Sequence, residues 1–591
     1  MIDSIADKMT DKIDIIEEIL RVEIFNYGVK TILLIVLALI CFILPFHQKQ
    51  LRKVEILFRS IAIRKKLVIL LIAIFTFVGN VAMAKLFYWP IPNIQDEFSY
   101  LLTADTFAHG RLTNPIHPMW EHFESFHIMR SPTRASKFPP TQGLFIAIGQ
   151  VLTGEPIIGV WLSMALACAA TCWMLQAWVP PRWAMLGGIL MIFNLGWFTY
   201  WSQSYWGGAV ALIGGSLVFG ALRRIIKKPT VGNSLWFALG LAILANSRPF
   251  EGFIASVPAV VVLFAWIIGK KSPPLKITFQ KIFLPIAIVL TLVILTIGYY
   301  NYCVTGSYLV LPYQAYEAVY NNWSNFIWVK PTTKNIVYNH KEFDIFYNSW
   351  YPDSFKKNFN PSFNFYYALE KLLSLAVFFI DVPINIFLIA LFWVSKNRWV
   401  RFSLLTIGLL MFAVLQVVVA LTHYVAPVVC LLYFIVIQCM RYAYFWRWHN
   451  RPVGRFTVWS VPIYYCCMIF LLVANNVNPS LVLGYDPLKT NRYNKYNWSF
   501  TRKNIVNMLN QEEGKILVIV IYSPQHSMHE EWVYNEADID NAKIVWARNM
   551  SQEKNCNLVK YFKDRKIWIL TIIGGGTVKI TPDVSPDSLC Q

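Results

Sequence analysis

The chain alternates long apolar stretches with short polar breaks. Apolar stretches run at about 30–46, 67–88, 157–178, 183–200, 205–222, 235–249, 252–269, 281–300, 368–394, 402–421, 424–440 and 457–475. A helix needs about 20 apolar residues to cross a bilayer, and most of these stretches approach that length. Unpaired backbone groups are costly in lipid, so each stretch is expected to be helical. The pattern predicts an α-helical polytopic membrane protein with about 12 transmembrane helices, its membrane domain covering residues 30–475. Residues 141–153 ("TQGLFIAIGQVLT") are apolar but too short to cross, and are expected to lie in the interface. Ahead of the first span, residues 1–29 set Ile and Leu at helical spacing among charges, as an amphipathic N-terminal segment does. Beyond the last span the period changes. "GKILVIVIYSP" (514–524), "AKIVWARN" (542–549) and "KIWILTI" (566–572) read as strands, with helices at 500–511 and near 551–563. That alternation predicts a small α/β domain over 476–591.

Composition agrees with a membrane chain. Of 591 residues, 56% are hydrophobic and 15% charged, whereas a soluble domain carries about 25% charged residues. The net charge of +20 invites a nucleic-acid partner, but its placement argues for none. Basic residues gather in short breaks at 47–66, 180–182, 223–229, 269–276, 395–401 and 441–455. These recur on every second break, as the positive-inside rule requires, so they are expected in the cytoplasm. The other side then receives a first outer loop (89–156), a short 201–204 connection, a corner at 246–251, a long outer loop (301–367), a corner at 422–423 and the tail. Cys168, Cys172, Cys430, Cys439, Cys466 and Cys467 lie in apolar spans, and no CxxC or Cys/His cluster occurs. Neither a disulfide framework nor a zinc site is expected.

Under this topology the unusual polar residues collect on one face. Asp96 and Glu97 follow the second span, with Tyr100 and His109 in the same stretch. Lys137 precedes Pro139 and Pro140. Ser204 and Tyr205 lie in "YWSQSYWGG", Asn246, Arg248 and Glu251 in "ANSRPFEGF", and His423 and Tyr424 in "LTHYVAP". Ionisable groups near membrane depth cost roughly 2.5–3.5 kcal/mol at a helix centre and are usually paired or functional. A wet helix end accounts equally well for each residue singly, and Arg248 and Glu251, three apart, can pair with each other. The shared sidedness is what a chemical site explains better. A carboxylate, a lysine and an arginine around a groove open to lipid suit a lipid-linked phosphate donor. The phosphate is a good leaving group, so no general acid is needed. One carboxylate takes the acceptor's proton, and cations hold the phosphate as its charge grows. Direct displacement inverts the anomeric carbon.

"DEFSYLLTADTFAHGRL" after the second span, followed by "KFPPTQGLFIAIGQVLTGEPIIGVWLS", resembles the first extracytoplasmic loop of GT-C superfamily glycosyltransferases. The nearest likenesses are the protein O-mannosyltransferases, the lipid A aminoarabinose transferases and the bacterial RgtA/B/C/D-like branch. The resemblance covers roughly residues 67–300 in layout. It implies a GT-C type fold, Asp96 as catalytic base beside Glu97, and Lys137 with Pro139 and Pro140 leading into a helix that lines the donor cavity. Arg248 joins Lys137 as a phosphate ligand by position alone. Tyr100, His109, Ser204, Tyr205, Asn246, Glu251, His423 and Tyr424 are cavity candidates. The expected partners are a polyprenyl-phosphate sugar donor, the bilayer, and an acceptor that is a lipid-linked glycan, a polysaccharide or a protein. The expected location is a bacterial inner membrane, with the site and tail facing outward. No metal or other cofactor is expected. His526, His529, Glu530, Glu531, Asp538 and Asp540 in the tail match no standard metal spacing.

The long loop adds aromatic residues and amides, among them Tyr316 and Trp323, that suit stacking on sugars as well as an interfacial belt. The alternative function is a multi-pass lipid or polysaccharide transporter or flippase. That would call for midplane charges and two echoing halves, and the chain offers neither.

Overall fold

The computed structural model describes residues 30–36, 39, 47–270, 272–332, 334–359, 361–380, 382–477 and 497–590. The predicted amphipathic segment 1–29 and most of the 30–46 span lie outside these residues. The rest is a helical bundle with a small sheet domain at its C-terminal end. Eight described helices are long and apolar enough to cross a membrane, or nine if a bent pair, Tyr367–Phe379 and Pro383–Val394, is one span.

Among the described residues, the predicted stretches from 67 onward coincide with helices, but two are shorter than a regular span. The 183–200 stretch is an 11-residue helix, Pro181–Met191, continued by a π-helical turn, Ile192–Gly196. The 235–249 stretch is the 17-residue helix Val231–Ser247. Both are shorter than the roughly 20 residues of a regular span. The predicted 281–300 span extends the other way, over Leu275–Thr305.

The basic stretch 47–66 is not an open loop. It contains helix α1 (His47–Ile63), which carries no Gly or Pro. Glu55 fixes it: Arg455 grips the carboxylate at 2.8 and 2.6 Å, while Trp459 Nε1 and Tyr444 Oη donate at 2.8 and 2.9 Å. Helix α2 (Lys65–Leu86) follows and leads to α3 (Gln95–Ala108). Asp96 and Glu97 occupy the first turn of α3, where the helix dipole favours negative charge.

A two-stranded hairpin comes next, β1 (Ile128–Met129) against β2 (Ala135–Ser136), pairing Ile128 with Ser136. Pro140 then starts α4 (Pro140–Thr153), and left-handed Gly154 ends it. Leu144, Ile148, Val151 and Leu152 of α4 keep an exposed apolar stripe, as an interfacial helix requires. The other side packs on α5 (Pro156–Trp178). A Cβ on Gly149 would stand 2.2 Å from the backbone nitrogen of Gly159, so only glycine permits this approach. The long loop is largely helical, beginning with α6 (Pro312–Tyr320) and continuing through Lys341–Ile345 and Tyr351–Phe359.

The tail forms a four-stranded sheet in the order β4-β3-β5-β6. β3 (Lys515–Tyr522) pairs in parallel with β4 (Ile544–Arg548) and with β5 (Arg565–Gly574). β6 (Thr577–Thr581), absent from the sequence-based expectation, closes the edge antiparallel to β5. Cys556 and Cys590 form a disulfide. That corrects the expectation of none: the two cysteines lie 34 residues apart without a spacing motif. The tail also shares its core with the first loop. Phe98 of α3 packs with Trp498, Trp532 and Trp546, and Phe123 with Leu517 and Val545. Buried Arg134 donates to the carbonyls of Asn535 and Glu536, and the amide of Ala537 donates to Asp105 Oδ2.

Candidate functional site

The neighbouring carboxylates of α3 have opposite surroundings. Glu97 is fully buried, and both its oxygens are engaged: Oε1 accepts the amide of Asn93 at 2.9 Å and Oε2 that of Tyr205 at 2.8 Å. It therefore ties the entry to α3 to the segment between two spans. Burial pushes its carboxyl up to about 7, against the pull of these amides.

Asp96 keeps 23% of its side chain exposed. Among the described residues no other side chain hydrogen-bonds it, and the closest partner is His127, with Nε2 3.6 Å from Oδ2. Burial raises its carboxyl above the ordinary value, while the charges of Lys137 and Arg248 oppose that rise. A carboxylate between a buried wall and two cations can accept a proton from a nearby hydroxyl.

The cations come from separate elements. The hairpin places His127 just before β1 and Lys137 just after β2, and the Lys137 amide donates to the His127 carbonyl at 3.0 Å. Lys137 Nζ then lies 3.1 Å from Glu317 Oε1 of α6 and 4.8 and 5.0 Å from the rings of Tyr316 and Tyr313. Arg248 forms the corner between Val231–Ser247 and Pro249–Ile268. Its guanidinium carbon sits 4.5 Å from the centroid of the Tyr424 ring, within cation–π range. Tyr100, Tyr424 and buried Glu251 share the electrostatic surroundings of Arg248. Tyr100 also stacks on Phe138 at 4.7 Å.

Other candidates serve the walls. The Ser204 hydroxyl donates to the carbonyls of Tyr200 and Trp206, and the Asn246 amide to that of Ala242, one turn back. Tyr205 contributes its backbone, whose amide holds Glu97 and whose carbonyl accepts from Gln142. His423 Nδ1 is 2.8 Å from the Tyr200 hydroxyl, with its ring against Trp206. His109 does not join the group. It caps the far end of α3, 13 residues or about 20 Å from Asp96, and contacts Asp105. Trp323 packs on Phe355.

Two neighbours escaped sequence reasoning. Glu317, which pairs with Lys137, lies in the long loop, 180 residues away in the chain. His127 gave no motif signal; its place follows from hairpin register alone. In the tail, Glu531 pairs with Arg548 at 2.6 Å, His526 bonds the Glu530 carbonyl and His117 meets Asp540. No cluster of three or more His, Cys, Asp or Glu able to hold a metal occurs among the described residues.

No protein-family model matches the chain, and no curated protein matches it. Among solved structures it is similar to ArnT from Cupriavidus metallidurans bound to undecaprenyl phosphate (TM-score 0.45, 12% identity, 85% of this chain and 92% of that chain). It is also similar to the same protein in the apo state (0.47, 12%, 89% and 94%). A third likeness is to the Archaeoglobus fulgidus oligosaccharyltransferase complexed with Zn and sulfate (0.44, 11%, 85% and 67%).

Proposed function

We propose that this chain is a membrane glycosyltransferase of GT-C type, moving a sugar from a polyprenyl-phosphate donor to an acceptor hydroxyl with inversion. The observation that carries this reading is Asp96: a partly exposed carboxylate at a membrane-helix exit, without a hydrogen-bonding side chain, facing two cations from separate elements. In the proposed step the acceptor oxygen attacks the anomeric carbon while its proton passes to Asp96. The bond from that carbon to the phosphate oxygen breaks. The electron pair leaves with the polyprenyl phosphate, whose added charge Arg248 and Lys137 hold. Lys137 is shared with Glu317, so the donor phosphate competes for it, whereas Arg248 rests on the aromatic face of Tyr424. Glu97 acts by positioning.

The site is assigned to the extracytoplasmic side. The alternation of basic breaks supports that side, as does the tail disulfide, a bond that persists in oxidising compartments. Reporter fusions after residues 227 and 480 test the assignment, with inside and outside signals expected respectively; a cytoplasmic 480 fusion would overturn it. The functional test is transfer from synthetic polyprenyl-phosphate sugars in nanodiscs. Wild type is expected to turn over, and Asp96→Asn to lose about 10²–10⁴ in rate while still binding donor. Full turnover by Asp96→Asn removes the assignment.

A further inference from the structure

His127 is the most constrained residue beside Asp96. Its backbone is left-handed, with φ 62°, a conformation that costs a non-glycine residue about 1–3 kcal/mol and persists only where its surroundings enforce it. Here they do. The His127 amide donates to Tyr316 Oη at 2.9 Å, and Tyr316 Oη meets Tyr347 Oη at 2.8 Å. The His127 carbonyl accepts from Ser99 Oγ at 2.7 Å and from the Lys137 amide at 3.0 Å. Partners from α3, α6 and the end of β2 thus hold both peptide groups of one strained residue, and the result is an imidazole whose Nε2 faces Asp96 Oδ2 at 3.6 Å. The ring is enclosed by Phe138, Tyr316 and Phe346, and its Nδ1 is buried without a partner.

A neutral imidazole carries one N–H. Leaving a buried N–H without an acceptor is costly, and Nδ1 has none, so the proton belongs on Nε2, toward Asp96. Burial, with the charges of Lys137 and His529, holds the ring well below its usual range and so neutral. At 3.6 Å the contact is longer than a hydrogen bond, as catalytic contacts often are before substrate closes the site.

Resting on the functional reading above, we propose that His127 is a positioning residue for the base. It donates from Nε2 to one oxygen of Asp96, stabilises the carboxylate and leaves the other oxygen to take the acceptor proton. The charged or titratable groups facing Asp96 are Lys137, Arg248, Glu97, Tyr100 and Tyr424; those facing His127 are Lys137, His529 and Tyr316. None of them donates to the carboxylate in place of His127.

The test uses His127→Asn and His127→Gln in the full chain. Asn tolerates the left-handed backbone but is too short to reach Asp96, while the Gln amide reaches about as far as Nε2. Losing the donor raises the Asp96 pKa, so the acid limb of kcat/KM moves up by about one pH unit in His127→Asn, a tenfold loss below it. His127→Gln restores the limb. Should His127→Asn fail to fold, Tyr316→Phe, which removes the bond to the His127 amide, is expected to shift the limb part of the way. The same shift is read without turnover by difference infrared titration of the Asp96 carboxyl, with Asp96→Asn as the blank. An unmoved titration in His127→Asn, or in Tyr316→Phe if only that variant folds, overturns the proposal. So does His127→Gln behaving like His127→Asn. If wild type transfers no sugar while the infrared shift persists, the functional reading fails and the pairing of His127 with Asp96 stands.

Discussion

Two carboxylates stand at opposite ends of the α2 span, which at 22 residues is about 33 Å long. Glu55, before it, is saturated by a bidentate arginine, an indole and a phenol. Asp96, beyond it, faces two cations and an imidazole without a hydrogen bond to any described side chain. Both acids lie in cationic, aromatic surroundings, so charge and aromatic content do not separate them. What separates them is saturation. A carboxylate whose lone pairs are already engaged fastens helices together, whereas one kept near charge but left unengaged has capacity for a substrate. Glu97, beside Asp96 in the chain, belongs with Glu55.

The comparison can be broken at several points, taken here in order of expected effect. Glu97→Ala strands two buried amides, at about 1–3 kcal/mol each; thermal melts should show a loss of about 2–6 kcal/mol, with any folded fraction still binding donor. A Glu97→Ala protein of normal stability but no activity would move Glu97 from the wall into the chemistry. Arg248→Met should raise the donor requirement and lower kcat/KM by about 10–100-fold, equivalent to one charge-assisted phosphate contact of about 1.5–3 kcal/mol. Undiminished kcat/KM would remove Arg248 from the phosphate. Glu55→Gln should cost about 1–3 kcal/mol of stability and leave the rate per folded molecule unchanged. A large rate loss there would mean that saturation does not mark a structural acid.

The pH dependence is the smallest effect and the one that sharpens the contrast most. The proposed base acts ionised, and burial raises the Asp96 carboxyl. Activity should therefore fall as pH drops through that raised value, reaching half-loss above the ordinary carboxylate range. A limb at or below the model-peptide value of about 3.9 would mean that the titrating group is not this one.

Much of this was legible in the chain. Apolar length located the helices, and basic alternation placed Asp96, Lys137 and Arg248 on one face. Apolar runs with intervening polar helices located β3, β4 and β5, though not their order in the sheet. Other parts depended on long-range geometry. The Lys137–Glu317 pair joins two loops, and His127 acquires its place only when β1 and β2 pair in register. Hydropathy could not show that the 183–200 stretch breaks at Ile192, because a π-helical turn is as apolar as the helix it interrupts. Nor could it show the tail's union with the first loop. Phe98 and Phe123 are core residues only because the sheet covers them.

The most direct measurement of the central claim is azide rescue of Asp96→Ala. Azide is already an anion and attacks without a base, so it replaces the alcohol whose activation the variant has lost. Asp96→Ala should be silent with alcohol acceptors yet form a glycosyl azide of inverted anomeric configuration from the polyprenyl-phosphate donor. A retained configuration, or no azide product from protein that still binds donor, would contradict Asp96 as the general base.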